Sequence, residues 1–165
     1  MSRRTAGATV VARTPLKAAN IDMSATATLT VETGGAGFFD ITAEARALLS
    51  GAGAGDGMLT LFCRHTSASL TIQENADPSV LVDLATALDR LAPEGAGWTH
   101  DTEGPDDMPA HIRTMLTATS LQVPVIGRQL ALGTWQGLYL VEHRRRPHRR
   151  EIVMQFIGSR AGRAP

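Results

Sequence analysis

Two of the five histidines border a loop that is rich in carboxylates. His100 and His111 enclose four acidic residues, Asp101, Glu103, Asp106 and Asp107. Imidazole nitrogens and carboxylate oxygens are ligands that zinc, manganese and magnesium accept in proteins. The spacing does not match a known metal signature, so two interpretations stay open for this loop: a metal site and a hydrogen-bonded surface loop.

A hydroxyl-rich segment follows His65, which comes shortly after an apolar run. The segment contains Thr66, Ser67 and Ser69. A hydrolase would need one serine within reach of a base and a third group to orient that base, and the Gly-x-Ser-x-Gly elbow is absent. Clustered hydroxyls and turn N–H groups bind phosphate oxygens without a covalent step. We therefore favour an anion-binding turn over a nucleophile, with a plain hydroxyl-rich strand edge as the alternative.

A polar segment at residues 73–77 lies between a predicted strand and a predicted helix. Asp77 is well placed as the N-cap of that helix, because Pro78 follows it. Capping of this helix gives no role to Glu74, which precedes the cap by three residues. A carboxylate at a strand end, near the positive end of a helix, can hold a cation or accept a proton. The alternative is a solvated loop acid.

Glycines flank an aromatic residue near the C-terminus, where Gly133 and Gly137 enclose Trp135 and Gln136. Trp135 can fill the core. A flat ring between glycines can also stack on a heterocycle, while Gln136 hydrogen-bonds the edge of that heterocycle.

A basic run occupies residues 143–150. Residues 74–107 balance it, with nine acidic residues against one basic residue, Arg90. This separation of charge indicates either docking between subunits or an anionic ligand carried to the arginines.

The 165 residues carry 16 basic and 16 acidic side chains, so the formal net charge is zero. A dedicated nucleic-acid binder needs a surplus of basic residues, which this chain lacks. The single cysteine, Cys63, cannot form an internal disulfide, and this is compatible with a reducing cytoplasm. The longest apolar stretches run to about eight residues, whereas a membrane helix needs about 20. The composition predicts a cytoplasmic protein with neither nucleic acid nor a membrane as partner.

Hydrophobic spacing predicts strands and helices in separate blocks. Strands are expected at residues 25–32, 38–42, 58–63, 69–74, 121–125, 129–135, 137–142 and 151–157. Helices are expected at residues 42–49, 78–91 and 110–118, the second with an apolar face toward the core. Gly127 and Arg128 should form a hairpin turn. Residues 1–20 and 161–165 are expected to be flexible, around a single domain at residues 21–160.

Three segments resemble the YjbQ family, in the same order along the chain. They are FCRHTSASLTIQENAD at residues 62–77, DDMPAHI at residues 106–112 and LGTWQGLYLVEHR at residues 132–144. The resemblance implies a single-domain α+β fold, with antiparallel sandwich-like sheets packed with two or three helices. It also implies a homotrimer with pockets near the subunit interfaces. The implied activity is that of a secondary thiamine-phosphate synthase, which couples hydroxymethylpyrimidine pyrophosphate to a thiazole phosphate and releases pyrophosphate.

The three segments, together with the chemistry of their side chains, suggest roles for individual residues. The catalytic residues would be His65, Glu74, Asp107 and His111. The substrate-binding residues would be Thr66, Ser67, Asn75, Thr134, Trp135, Gln136 and Arg144. The ligands of a divalent metal, Mg²⁺ or Zn²⁺, would be His65, His100 and His111, with Glu74 and Asp107 also able to hold a cation.

Two other functions use nearly the same residues. The chain can be a trimeric protein that binds a metal or a small phosphorylated metabolite, or a metal-dependent phosphoester hydrolase with water as the acceptor. The usual thiamine-phosphate synthase resembles a TIM barrel of about 250 residues, so this shorter chain would need an unrelated scaffold.

Overall fold

The computed structural model describes residues 12–16, 18 and 20–162. The segments expected to be flexible, residues 1–20 and 161–165, therefore lie mostly outside the described residues. Among the described residues, no helix has the length and apolar character needed to cross a membrane.

The described residues form eight strands and three helices. The strands are β1 (Met23–Thr33), β2 (Gly37–Asp40), β3 (Ala54–Cys63), β4 (Ala68–Glu74), β5 (Ser120–Ile126), β6 (Gln129–Leu130), β7 (Gln136–Glu142) and β8 (His148–Arg160). The helices are α1 (Thr42–Ala52), α2 (Pro78–Leu91) and α3 (Asp107–Leu116).

The strands form two antiparallel sheets. The larger sheet has the order β1, β8, β3, β5, β6, and the smaller sheet has the order β2, β7, β4. β8 pairs along its length with β1, from Met23 opposite Gly158 to Thr33 opposite His148. Together with the three helices, these sheets confirm the predicted α+β fold.

One hydrophobic core joins the inner faces of both sheets to α1. Alternate residues of β8 point inward, so Ile152, Met154 and Phe156 are buried. They pack in one cluster with Leu70 of β4 and Leu49 of α1. Period-two burial of this kind is what fixes the register of a strand against a core.

Local signals explain the helix ends. The Asp77 carboxylate accepts a hydrogen bond from Ser79 N at 2.8 Å, so the predicted N-cap of α2 is confirmed. α1 begins as predicted at Thr42, but the side chain that accepts from Thr42 N is that of Asp40. Gly51 lies inside α1, and Gly53 ends the helix in the left-handed conformation, at φ 65°.

Two expectations from the sequence were wrong. The strand expected at residues 129–135 ends at Leu130, because the chain then turns and Gln136 N bonds to Gly133 O. The apolar face of α2 is only half-covered, and none of its residues is buried. The hairpin turn at Gly127 and Arg128 is confirmed, since both residues have positive φ, 58° and 69°.

Candidate functional site

His100, Asp107 and His111 form a compact group of possible metal ligands. One ligand atom from each residue lies within 4.8 Å of the others. The Oδ2 atom of Asp107 is 2.7 Å from His100 Nε2 and 3.3 Å from His111 Nε2. The carboxylate is buried, with 3% of its side chain exposed, whereas the two imidazoles are 42% and 33% exposed. The group is thus anchored at Asp107 and accessible at its histidines.

The start of α3 positions this group. Asp107 and His111 are four residues apart in α3, so both side chains lie on one face of the helix. His100 comes from the loop before α3, and its ring centroid is 5.6 Å from that of His111. The loop therefore folds back over the first turn of the helix.

A backbone contact fixes the tautomer of the neutral His111 ring. Its Nδ1 atom lies 3.0 Å from the carbonyl oxygen of Thr66. A carbonyl oxygen can only accept, so Nδ1 carries the hydrogen, and in the neutral ring Nε2 presents a lone pair. That lone pair faces Asp107. Histidine ligands of metals are commonly oriented in this way by a carbonyl on the far side of the ring.

Arg144 holds the acidic residues at the start of α3. Its Nη1 donates to Asp107 Oδ1, its Nε donates to Asp106 Oδ2 at 3.2 Å, and its Nη2 donates to the carbonyl of Glu103 at 2.9 Å. Burial raises the pKa of Asp106, but hydrogen bonds from Arg145 N and Arg144 outweigh it and leave the pKa below its usual value. Arg144 thus leaves Asp107 Oδ2 turned toward the histidines.

A buried ion pair lies beneath the site. Both Glu142 oxygens accept from Arg150, from Nη2 at 2.6 Å and from Nε at 2.7 Å, and Thr33 Oγ1 donates to the same carboxylate. Burial raises the pKa of Glu142, but these hydrogen bonds and one from Arg144 N bring it below its usual value. Glu142 is therefore ionised at neutral pH, and its bond to Arg144 N links the site to the sheets.

The basic run at residues 143–150 is largely neutralised within the chain. Besides the pairs already described, Arg145 pairs with Glu94 at 2.8 Å and Arg149 approaches Glu32 at 3.6 Å. Intramolecular ion pairs thus account for much of the charge separation, without a second subunit or an anionic ligand.

His65 lies apart from the metal-ligand group. Its Nε2 accepts a hydrogen bond from the backbone N–H of Glu151 at 2.8 Å, so the lone pair of this nitrogen is not available to a metal. Burial, then the positive charge of Arg150, lowers the pKa of His65. The structure brings together two of the three histidines proposed as ligands, and Asp107 takes the third place.

The hydroxyl-rich turn that was predicted to bind an anion lies at the same edge. The Thr66 carbonyl contacts His111, and Ser67 Oγ accepts from Arg150 Nη2 at 3.1 Å. Ser69 is buried, and its hydroxyl lies 2.8 Å from His143 Nε2.

The remaining predicted residues form a second group at the far end of the smaller sheet. Ala68 pairs with Glu142 near the metal-ligand group, whereas Glu74 pairs with Gln136 six positions further along β4. At about 3.3 Å per residue, the two groups are roughly 20 Å apart within one protomer. The far group contains Glu74, Asn75, Thr134, Trp135 and Gln136.

Trp135 in this group does not fill the core, since 65% of it is exposed. The neighbouring Asn75 is tied to the same turn, because its N–H donates to the carbonyl of Trp135 at 3.0 Å. The group therefore presents an open indole ring on a turn that is bonded to Asn75.

The sequence model of the family described as "UPF0047 protein YjbQ-like" matches residues 27–159. The chain belongs to the YjbQ family. UPF0047 protein sll1880 of Synechocystis is 50% identical over 131 residues, which cover 79% of this chain and 89% of that protein. YjbQ of Salmonella typhimurium is 42% identical over 132 residues, 79% of this chain and 96% of that protein.

Solved structures share this fold. An uncharacterized conserved protein of the YjbQ/UPF0047 family from Clostridium acetobutylicum superposes with a TM-score of 0.74 at 35% identity, covering 79% of this chain and 98% of that one. Hypothetical protein APE1520 of Aeropyrum pernix superposes with a TM-score of 0.76 at 29% identity, covering 82% and 99%.

The ligand set of this YjbQ-family chain fits a transition metal better than magnesium. Two imidazole nitrogens and one carboxylate oxygen are typical of zinc sites that keep a position open for a substrate. Magnesium prefers an all-oxygen shell. The tautomer of His111 and the orientation of Asp107 match what such a site requires.

Sequence reasoning missed the residues that orient this group. The contribution of Thr66 is a backbone atom, which no residue type reveals. Arg144 was expected to contact substrate, yet its guanidinium is occupied by Asp106, Asp107 and Glu103. One available signal was the four-residue spacing of Asp107 and His111 in a predicted helix.

Proposed function

We propose that this chain is a metal-dependent enzyme acting on a phosphorylated metabolite, with a divalent ion held by His100, Asp107 and His111. The specific reaction we propose is thiamine phosphate formation from hydroxymethylpyrimidine pyrophosphate and a thiazole phosphate, with release of pyrophosphate. The observation that carries the metal-dependent part is the convergence of three ligand atoms within 4.8 Å. The coupling reaction itself rests on the resemblance of the three sequence segments.

The residues of the chain would bind and orient the substrate. A bound divalent cation would supply positive charge that stabilises the leaving pyrophosphate. Thr66 and Ser67 lie at the same edge, where their hydroxyls can donate to phosphate oxygens. His100 and His111 are partly exposed, so a phosphate group can approach the site from solvent.

The residues suited to binding a ring are remote in one protomer. Trp135 and Gln136 lie roughly 20 Å from the metal-ligand group along the smaller sheet. We propose a cytoplasmic homotrimer in which a neighbouring subunit places its Trp135 and Glu74 near this group. In that arrangement Trp135 would stack on the pyrimidine or thiazole.

The same separation favours a second candidate, a metal-dependent phosphoester hydrolase. Water as the acceptor removes the need to orient two rings, so the far group would not be required. A protein that only binds the metal and a phosphorylated metabolite would use the same three ligands.

The test is a turnover assay on metal-free protein reloaded with Zn²⁺, Mn²⁺ or Mg²⁺. A metal-dependent kcat/KM above about 10⁴ M⁻¹s⁻¹ for thiamine phosphate formation supports the synthase. Phosphate release from an ester without the thiazole substrate supports the hydrolase. D107N should abolish either activity, and R149Q, a change of an exposed arginine, should not. Metal binding without turnover in either assay contradicts both enzyme proposals.

A further inference from the structure

A cavity of about 490 Å³ lies between α1 and the hairpin that joins β5 to β6. Two arginines, two other polar residues and two leucines line it: Arg46, Leu49, Ser50, Arg128, Gln129 and Leu130. None of them belongs to the metal-ligand group or to the far group around Trp135. The hairpin follows β5 where Val125 pairs with Gly57, five positions along β3 from Phe62. The cavity is therefore about 16 Å along the sheet from the end of β3 that leads to the hydroxyl-rich turn.

Both arginines of this cavity are exposed and lack a carboxylate partner. Within the part of the chain that the structure describes, neither Arg46 nor Arg128 forms an ion pair, and no acidic residue lines the cavity. The acidic residue nearest the hairpin turn in the hydrogen-bond network, Asp56, accepts from Gly127 N at 2.6 Å. The positive charge at this cavity is therefore free to attract an anion from solvent.

The backbone at Arg128 is strained. Its φ is 69°, and it is the one residue other than glycine with positive φ in the described part of the chain. Both central residues of this two-residue turn need positive φ, and glycine or asparagine is usual there. A residue with a longer side chain costs free energy in this conformation. Strained residues cluster at ligand sites, so the strain at Arg128 indicates that its side chain has a function.

The cavity also has an apolar wall. Leu49 and Leu130 line it and are only 3% and 9% exposed. Ser50 and Gln129 are exposed, and their hydroxyl and amide groups can donate hydrogen bonds. A volume of about 490 Å³ is within the range of small-molecule pockets, which combine apolar walls with a few polar groups. The cavity is thus suited to an anion that carries an apolar part.

We propose that this cavity binds a small organic anion. Its phosphate or carboxylate group would lie between the guanidinium groups of Arg46 and Arg128, and its apolar part would contact Leu49 and Leu130. Arginine is well suited to this role, because its planar fork of donors matches two oxygens of such a group. The contacts require no metal, so the site is independent of the proposed enzyme reaction.

The experiment follows the backbone amide resonances of residues 127–130 in the metal-free, ¹⁵N-labelled full chain. Phenyl phosphate and benzoate are titrated separately at pH 7 and constant ionic strength. Inorganic phosphate and acetate are the matched anions that lack the ring. We expect a saturable shift with at least one aromatic anion, and binding of its ringless counterpart about tenfold weaker or more, since the buried ring supplies apolar contact. The aromatic anion that binds more tightly identifies the charged group.

Three variants test the role of the arginines. R128G removes one guanidinium and relieves the backbone strain, so it should weaken binding by about tenfold while raising the Tm of the ligand-free chain. R46Q should weaken binding by a similar factor. R90Q is the matched control, because Arg90 is also exposed and without an ion pair in the described part of the chain, and it lies outside the cavity. It should bind as the wild type does.

The outcomes distinguish this proposal from the proposed enzyme, because neither metal nor turnover is needed. H111A should leave anion binding unchanged. Loss of binding in H111A but not in R128G would place the anion at the metal-ligand group and overturn the proposal. It would also be overturned by the lack of a saturable shift with both aromatic anions, or by equal weakening in R90Q and R128G. Equal affinity for each aromatic anion and its ringless counterpart would contradict the contact with Leu49 and Leu130.

Discussion

The ring of His111 is hydrogen-bonded to the backbone of Thr66, with 3.0 Å between Nδ1 and the carbonyl oxygen, across 45 positions of sequence. This contact directs the Nε2 lone pair at the carboxylate of Asp107. Without a cation or a proton between them, two electron-rich atoms lie 3.3 Å apart. Either a proton on Nε2, in an imidazolium–carboxylate pair, or a bound cation would remove this repulsion.

The first prediction concerns metal affinity. H100A and H111A should each weaken Zn²⁺ binding by about 100-fold or more, because each removes a ligand atom. Competition titration with a chromophoric chelator measures the dissociation constants. H148A is the matched control, since His148 Nδ1 contacts the carbonyl of Arg146 and lies outside the group. Binding of wild-type strength in H111A would show that the metal site lies elsewhere.

The second prediction concerns Arg144, a positioning residue. R144Q should weaken Zn²⁺ binding about 10- to 100-fold, because Asp107 loses the partner that orients it. R149Q removes an equal charge at an exposed position and should leave the affinity unchanged. Comparing the affinities with the Tm of the metal-free proteins separates orientation from stability. If only the Tm of R144Q falls, Arg144 has a structural role alone.

The third prediction concerns pH and His143. Burial first, then the charge of Arg113, lowers the pKa of this residue to about 4 in the folded chain, against about 6.5 in the unfolded chain. Between these values the unfolded chain binds the extra proton, so the free energy of unfolding rises with pH. The gain is up to about 3 kcal/mol and is complete above about pH 6.5.

Urea unfolding of wild type and H143F between pH 4.5 and 7.5 measures this dependence. H143F should have a flatter profile, and the remaining slope includes His65, whose pKa is also lowered. Working above pH 4.5 leaves Glu142 ionised. Parallel profiles for the two proteins would contradict the assignment of this titration to His143.

The fourth prediction compares two ion pairs. E142Q should lower the free energy of unfolding by about 3–5 kcal/mol, because the buried charge of Arg150 loses its carboxylate. E151Q breaks the exposed pair with Arg64 and should cost less than about 1 kcal/mol. Urea denaturation of both variants gives the difference. Similar values for the two would mean that the Glu142 pair is not a main source of stability.

Sequence patterns predicted those helices and strands whose bounds depend only on residues within the same segment. The helix at α2 was confirmed to the residue, because Asp77, Pro78 and the apolar spacing all act within one segment. The strand expected at residues 129–135 was wrong past Leu130, where the pattern continues but Gln136 Oε1 accepts from Gly133 N and closes a turn. Neighbouring apolar residues do not reveal such a side-chain contact.

The site depended on distances that sequence does not contain. His100, Asp107 and His111 are close in sequence, and they meet in space. Glu74 lies only nine positions from His65, yet the register of β4 against β7 carries it to the far end of the smaller sheet. Separation along an extended strand grows by about 3.3 Å per residue. The two ends of one continuous sequence motif can therefore belong to two separate sites.

The position of β8 between β1 and β3 in the larger sheet dictates an order of events during synthesis. β1 lies at the edge of that sheet and pairs there with β8. Thr33 therefore cannot pair until His148, 115 residues further along the chain, has been synthesised. At 5–20 residues per second, a ribosome needs about 6–23 s to make that stretch. During this interval β1 lacks its strand partner and β3 lacks one of its two neighbours. Nascent chains in that state are open to pairing with each other. The larger sheet can therefore close only after β8 has left the ribosome, however early the helices form.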